Sequence, residues 1–228
     1  MKLGILFSGG KDSCLALSKA MKEHEVVCLI SIISENKESF MFHTPNIWIT
    51  KMQSESIGIP LISVITKGKK EDELEDLEKA IKKAKQKYSI EGIVTGAVKS
   101  NYQASRIQKI CEKINLKCIN PLWHMDEIEL LNEVVDSGIK AIISGVFAFP
   151  IEKEMLGKLI DKKLIERLIY LNKKYSISPA GEGGEFETTV LDAPFFKKRI
   201  EPLDTSVEYE NYSGVFNIKK ARLVESDS

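Results

Sequence analysis

The 228-residue chain is poor in the residues that most often announce a special chemistry. It has three His and four Cys; Cys14, Cys28, Cys111 and Cys118 form no CxxC pair and have no His at metal-ligand spacing. That pattern excludes a zinc site or a disulfide framework, and Cys14 and Cys28 read as small core residues. No run of about 18 apolar residues is present, which excludes a membrane-spanning helix. Charge of one sign is missing too: 33 Lys plus Arg balance 33 Asp plus Glu. Without a basic excess, no stable grip on a nucleic-acid backbone is expected. Met1-Lys2 lead straight into an apolar run, so no leader is expected and a cytoplasmic protein is the simplest reading. What is present suffices for a core: 43% of residues are hydrophobic, enough for one large α/β domain or two small ones.

Against this plain background one segment stands out. The apolar run Leu3-Gly4-Ile5-Leu6-Phe7 is followed by Ser8-Gly9-Gly10-Lys11-Asp12-Ser13 and then by the helically spaced Cys14-Leu15-Ala16-Leu17. Buried strand, glycine turn and helix start aim backbone N–H groups and the positive end of a helix dipole at one small space. A phosphate or pyrophosphate is its natural occupant. Gly9 and Gly10 let the backbone approach an anion, Lys11 adds a mobile positive charge, Ser8 and Ser13 add hydroxyls, and Asp12 suits an N-cap or first-turn acid. The segment is not a Walker A loop, because either alignment puts Gly or Asp where Lys or Ser/Thr is required. Nor is it a GxGxxG fingerprint.

Hydrophobic periodicity predicts strands over 2–7, 25–33, 61–66, 92–96 and 117–119, alternating with helices over 12–22, 46–57, 71–88 and 105–114. This rhythm implies a parallel five-stranded sheet with helices on both faces, whose ligands bind beyond the carboxyl ends of the strands. From about residue 125 the pattern changes. A helix over 125–137, a strand over 139–147, two Lys/Glu-rich helices between 153 and 174, and antiparallel strands over 195–224 with a turn at 211–214 predict a smaller α+β part. The expected division is an ATP-binding domain over 1–124 and a smaller α+β domain over 125–228.

Three further segments carry candidate chemistry. Residues 179–189 hold three Gly and three Glu, among them Glu182, Gly183, Gly184, Glu185, Glu187 and Thr188. Such a span cannot build a core, and its carboxylates repel unless spread, protonated, paired or near Mg²⁺. It suits the side of an ATP site facing the phosphate loop; a flexible surface turn is the alternative. Residues 96–106 follow the fourth strand at the same sheet edge, where Ser100, Tyr102, Gln103 and Arg106 suit substrate recognition, while Ser100 or Asn101 also suits a helix cap. The loop after the second strand contains His43, a candidate ligand contact or a structural histidine.

These segments together resemble the diphthine–ammonia ligase family, within the PP-loop ATP pyrophosphatase superfamily. The resemblance rests on SGGKDS at 8–13, MFHTPN at 41–46, GAVKSNYQASRI at 96–107, NPLW at 120–123 and GEGGEFET at 181–188. It implies a PP-loop (HUP-like) α/β fold and an AMP-forming carboxylate–ammonia ligase. The implied reaction amidates the diphthine carboxylate on translation elongation factor 2 through an acyl adenylate, with ATP and Mg²⁺ as cofactors and ammonium as nitrogen donor. ATP binding falls to Ser8, Gly9, Gly10, Lys11, Asp12 and Ser13, and catalysis to Lys11, Asp12, Glu185 and Glu187. Substrate binding falls to His43, Ser100, Tyr102, Gln103, Arg106, Glu182, Gly183, Gly184 and Thr188. A homodimer stays open, as do another PP-loop amide ligase or tRNA-modifying enzyme and an ATP-sensing module without turnover.

Overall fold

The structure is a computed structural model that describes residues 1–35, 45–67 and 70–226; His43 lies outside them. Strands β1 (Lys2–Leu6), β2 (Glu25–Ser34), β3 (Leu61–Thr66), β4 (Gly92–Val94) and β5 (Lys117–Ile119) form one sheet in the order β3-β2-β1-β4-β5. Every pairing in it is parallel. The central strands are apolar throughout because both faces of the sheet are covered. Helices α1 (Lys11–Glu23) and α2 (Ile49–Ile57) contribute Leu15, Leu17, Ile49 and Ile57 to one buried cluster. Helices α3 (Lys70–Tyr88) and α4 (Asn101–Lys113) contribute Leu77, Ile81, Ile107 and Ile110 to another. From β1 the chain moves outward to β2 and β3, then returns to the other side of β1 as β4. The strand order therefore reverses between β1 and β4, the place in such sheets where a crevice opens for ligand.

The second half comprises α5 (Glu127–Asp136), β6 (Lys140–Val146), α6 (Lys162–Tyr175), β7 (Phe186–Asp192), β8 (Lys198–Glu210) and β9 (Ser213–Glu225), with an antiparallel sheet ordered β7-β6-β9-β8. Strands β8 and β9 form a long hairpin closed by Asn211 and Tyr212, both left-handed with φ of 48° and 60°. Two helices were expected between 153 and 174. Instead a single 3-10 turn at Lys153–Met155 precedes α6. Between them Gly157 turns at φ 78° and Leu159 bridges to Ile142 of β6, so the chain serves the sheet there. Helix α4 begins at Asn101, four residues before the expected start at 105, because Ser100 caps it by accepting the Gln103 N–H at 3.3 Å.

The two halves share a core. One buried cluster runs from Leu3 and Ile5 of β1 through α1 to Leu131 and Val134 of α5, Ile143 of β6, Leu168 of α6 and Val190 of β7. Burying side chains of this size is worth roughly 1.5–3 kcal/mol each, so each half contributes directly to the stability of the other. Asn46 adds polar ties. Its Nδ2 donates to the Phe216 carbonyl at 2.9 Å and its Oδ1 accepts the Ile218 N–H at 2.8 Å, which docks the entry to α2 on β9.

Candidate active site

The glycine turn after β1 is shaped by its own serines. Ser13 Oγ accepts from the Gly9 N–H at 3.1 Å and from Ser8 Oγ at 3.2 Å, and donates to the Gly10 carbonyl at 3.1 Å. Gly9 stands at φ 78°, a conformation that favours glycine. A Cβ on Gly10 would stand 3.1 Å from the Thr188 carbonyl, and one on Gly96 would stand 2.9 Å from backbone atoms of Asp12 and Ser13. Gly96 is therefore required by the close approach of the start of α1, and a Cβ on Gly10 would press on the Thr188 carbonyl.

The loop is also held from outside. The Lys11 N–H donates to Thr188 Oγ1 at 3.0 Å and the Val190 N–H donates to the Gly9 carbonyl at 2.9 Å, so β7 lies along the turn. Gln53 of α2 is fully buried, and its Nε2 donates to both the Gly9 carbonyl (2.9 Å) and the Val190 carbonyl (2.8 Å). Nothing in the sequence singles out Gln53, because its role depends on two partners far away in the chain.

Lys11 is less free than a loop lysine. It is 3% exposed, its Nζ is 2.8 Å from Asp12 Oδ2, and it stands 5.7 Å from the centre of the Phe186 ring. Burial by itself would lower its pKa, but Asp12 above all, with Glu182 and Glu187, more than offsets this and holds it above its ordinary value. The acids respond in the opposite sense. Burial, reinforced by the Asp12 charge, pushes Glu182 up to about 7. Burial does the same for Glu187, also to about 7, with Lys11 opposing and Asp12 and Glu182 assisting. One lysine thus faces three carboxylates, two of them poised near neutrality.

These groups line a cavity of about 500 Å³ at the strand-order reversal, within the range of ligand pockets. Its lining includes the polar residues Ser8, Lys11, Asp12, Ser13, Glu182, Glu187 and Thr188 and the apolar residues Leu6, Ile30, Ile32, Leu77 and Ile107. Ser100, Gln103, Gly183 and Gly184 line it as well, so three sequence segments expected at the site meet in one space. Other expected residues stand elsewhere. Gly9 and Gly10 shape the loop without lining the cavity. Arg106 lies flat on Tyr102, 3.4 Å from the ring centre, and its Nη1 donates to the Tyr102 carbonyl. Glu185 turns back on its own loop, where its carboxylate accepts from the Ser178 N–H at 2.8 Å and the Gly183 N–H at 2.9 Å.

Glu127, the first residue of α5, is a hub that sequence reasoning passed over. It accepts from Ser178 Oγ, from Lys99 Nζ at 2.5 Å and from the Ala180 N–H at 3.4 Å. Burial works against its charge, but Lys99 and Ser178 outweigh that and hold its carboxyl below the usual range. Glu127 ties the glycine–acid loop to the segment after β4. Among the described residues no group of three His, Cys, Asp or Glu is arranged to hold a metal ion.

Residues 1–118 match the diphthamide synthase N-terminal domain and residues 126–224 the diphthamide synthase C-terminal domain. The chain belongs to the diphthamide synthase family. Relatives carry the name diphthine–ammonia ligase. That of Schizosaccharomyces pombe is 37% identical over 231 residues, covering 94% of this chain and 38% of its own length. That of Mus musculus is 35% identical over 222 residues, covering 88% of this chain and 82% of its own. A solved structure described as a predicted subunit of tRNA methyltransferase from Methanocaldococcus jannaschii is 17% identical. It covers 85% of this chain and 98% of that one at a TM-score of 0.44, too low to carry an argument. The diphthamide synthase family is the one to which the five motifs pointed. Four of those motifs fall within the matched regions and NPLW at 120–123 lies between them; three, at 8–13, 96–107 and 181–188, supply residues to the cavity.

Proposed function

We propose that the protein is an ATP-dependent ligase that amidates the carboxylate of diphthine on translation elongation factor 2, using ammonium and releasing AMP and pyrophosphate. Membership of the diphthamide synthase family and the name of the relatives support the reaction class. The observation that carries the reading is one cavity whose lining combines apolar side chains suited to a base with charged, glycine-flanked groups suited to phosphates. In this reading residues 1–124 carry the ATP loop and acceptor contacts at Ser100 and Gln103, residues 125–228 supply the facing wall with Glu182 and Glu187, and the protein works in the cytoplasm.

A carboxylate resists ammonia because an oxide ion would have to leave. An acceptor oxygen attacks the α-phosphorus instead, and the bond from that phosphorus to the bridging oxygen breaks, its electron pair leaving with pyrophosphate. Lys11 Nζ and the N-terminus of α1 face the charge that develops there. In the second step ammonium gives a proton to solvent, the lone pair of the resulting ammonia attacks the acyl carbon, and the carbon–oxygen bond to AMP breaks, AMP leaving with the electrons. Glu187, near neutral and in the same cavity, receives the proton that the nitrogen sheds. Ser100 and Gln103 orient the acceptor.

Mg²⁺ fits the donors present. Asp12 Oδ1 is buried with no hydrogen-bond partner, and Mg²⁺ is commonly held by one or two carboxylates with substrate phosphates completing its shell. Asp12 and Glu182 would hold it, and its charge would help neutralise the departing pyrophosphate.

The test is product identity. Purified protein with ATP, ammonium and diphthine-bearing elongation factor is expected to release AMP and pyrophosphate in step with amide formation. Release of ADP overturns the reading, and turnover of a free carboxylate with none on the elongation factor replaces its acceptor half.

A further inference from the structure

Outside the cavity, four exposed aromatic side chains lie on or beside α6 and the β8–β9 turn. Phe149, Tyr170, Tyr175 and Tyr212 are 52%, 50%, 38% and 42% exposed. Three of them converge from separate segments: the Phe149 ring lies 5.1 Å from both Tyr175 and Tyr212, edge-on at 81° and 89°. The cluster runs on into a cationic stripe along α6. Lys174 Nζ stands 5.0 Å from the centre of the Tyr175 ring and 5.9 Å from that of Tyr170, and the Arg167 guanidinium is 5.5 Å from Tyr170.

Tyr212 is informative in its own right. It occupies the second position of a two-residue hairpin turn at φ 60°, where glycine is strongly preferred. A bulky residue is strained there, yet its ring is exposed and contributes little to the core. Strain kept for an exposed aromatic group points to a use outside the fold.

The cluster also adjoins the candidate active site. The Phe147 N–H donates to the Glu185 carbonyl at 2.8 Å, and Tyr175 precedes Ser178, whose Oγ accepts the Glu182 N–H at 2.8 Å. The segments that carry Phe149 and Tyr175 are thus joined to both ends of the loop whose Gly183 and Gly184 line the cavity.

We propose that this surface docks the protein substrate, gripping an apolar side chain within an acidic segment beside the residue whose carboxylate enters the cavity. The inference rests on the ligase reading above. Exposed aromatic groups and arginine are the anchors protein interfaces favour, and the cations of α6 select an acidic partner. A net charge of zero gives the chain no general field for a nucleic-acid backbone, so a protein is favoured over RNA.

The experiment measures binding and steady-state turnover of diphthine-bearing elongation factor by the full chain and two variants. Arg167→Glu/Lys174→Glu is expected to raise the KM and Kd for the elongation factor by about tenfold and flatten their salt dependence, with the Kd for ATP unchanged. Tyr212→Gly relieves the turn, so its melting midpoint is expected to equal or exceed that of the parent while the Kd for the elongation factor rises by about tenfold. Parent-like binding by both variants overturns the docking surface and leaves the ligase reading intact. An unaltered chain that neither binds nor amidates the elongation factor overturns both, whereas RNA binding that the charge reversal abolishes while amidation persists overturns the docking surface alone.

Discussion

Glu187→Gln should make the ligand-free protein more stable at alkaline pH while abolishing its use as a base. Burial raises the Glu187 carboxyl from its ordinary 4.5 to about 7 in the folded chain. Between those values the native carboxyl keeps a proton that the unfolded chain has lost. The native state therefore binds more protons, and stability falls as pH rises through that window and levels off above it. At roughly 1.4 kcal/mol per pH unit, a rise from 4.5 to about 7 corresponds to about 3 kcal/mol of destabilisation fully present near pH 8. Glutamine keeps the shape and carries no charge at any pH. Its advantage should be near zero at about pH 4, grow through the window, and reach an order of 3 kcal/mol near pH 8. Urea unfolding midpoints of both proteins, measured across the pH series without nucleotide or divalent metal, give the difference directly. A constant difference, or a variant less stable than the parent near pH 8, would refute the electrostatic account of this site. The gain would come with lost amide formation, the trade-off expected where function holds a charge against its preference.

Other substitutions probe the remaining supports. Lys11→Met keeps the buried stem and removes the charge; AMP formation should fall by about 100-fold or more with the fold intact by circular dichroism, and a parent-like rate would remove Lys11 from the chemistry. Gly96→Ala places a methyl 2.9 Å from the backbone of Asp12 and Ser13; a loss of about 1–3 kcal/mol in unfolding free energy and weaker ATP binding by calorimetry are expected. Glu127→Gln keeps the Ser178 contact but gives up the ion pair with Lys99; faster amide hydrogen exchange over 178–185 and a severalfold higher KM for ATP should follow, and unchanged exchange would show that the loop is held elsewhere.

Much of the scaffold is legible in the sequence because parallel strands buried on both faces leave unbroken apolar runs, as at β1 and β2. The glycine turn after β1 is legible in part because Gly9 answers to a local backbone conformation, φ 78°. Long-range geometry is not. Gln53 looks like any polar residue on a short helix until Gly9 and Val190 are brought to it. The three glutamates of the glycine-rich loop cannot be ranked by composition; only the folded loop shows Glu185 accepting from its neighbours while Glu182 and Glu187 line the cavity. The start of α4 is hidden because Ser100 and Asn101 read equally as loop and as cap, and the structure selects the cap.

The Gln53 carboxamide has a practical consequence. Its two N–H protons point at carbonyls from opposite halves of the molecule, one on the glycine turn after β1 and one on β7. Because the group is fully buried, its pair of side-chain proton resonances should be well dispersed and protected from exchange. That pair offers a spectroscopic gauge at a single residue. Any nucleotide that draws the loop away from β7 will shift one signal more than the other, and so report the direction of the movement as well as its occurrence.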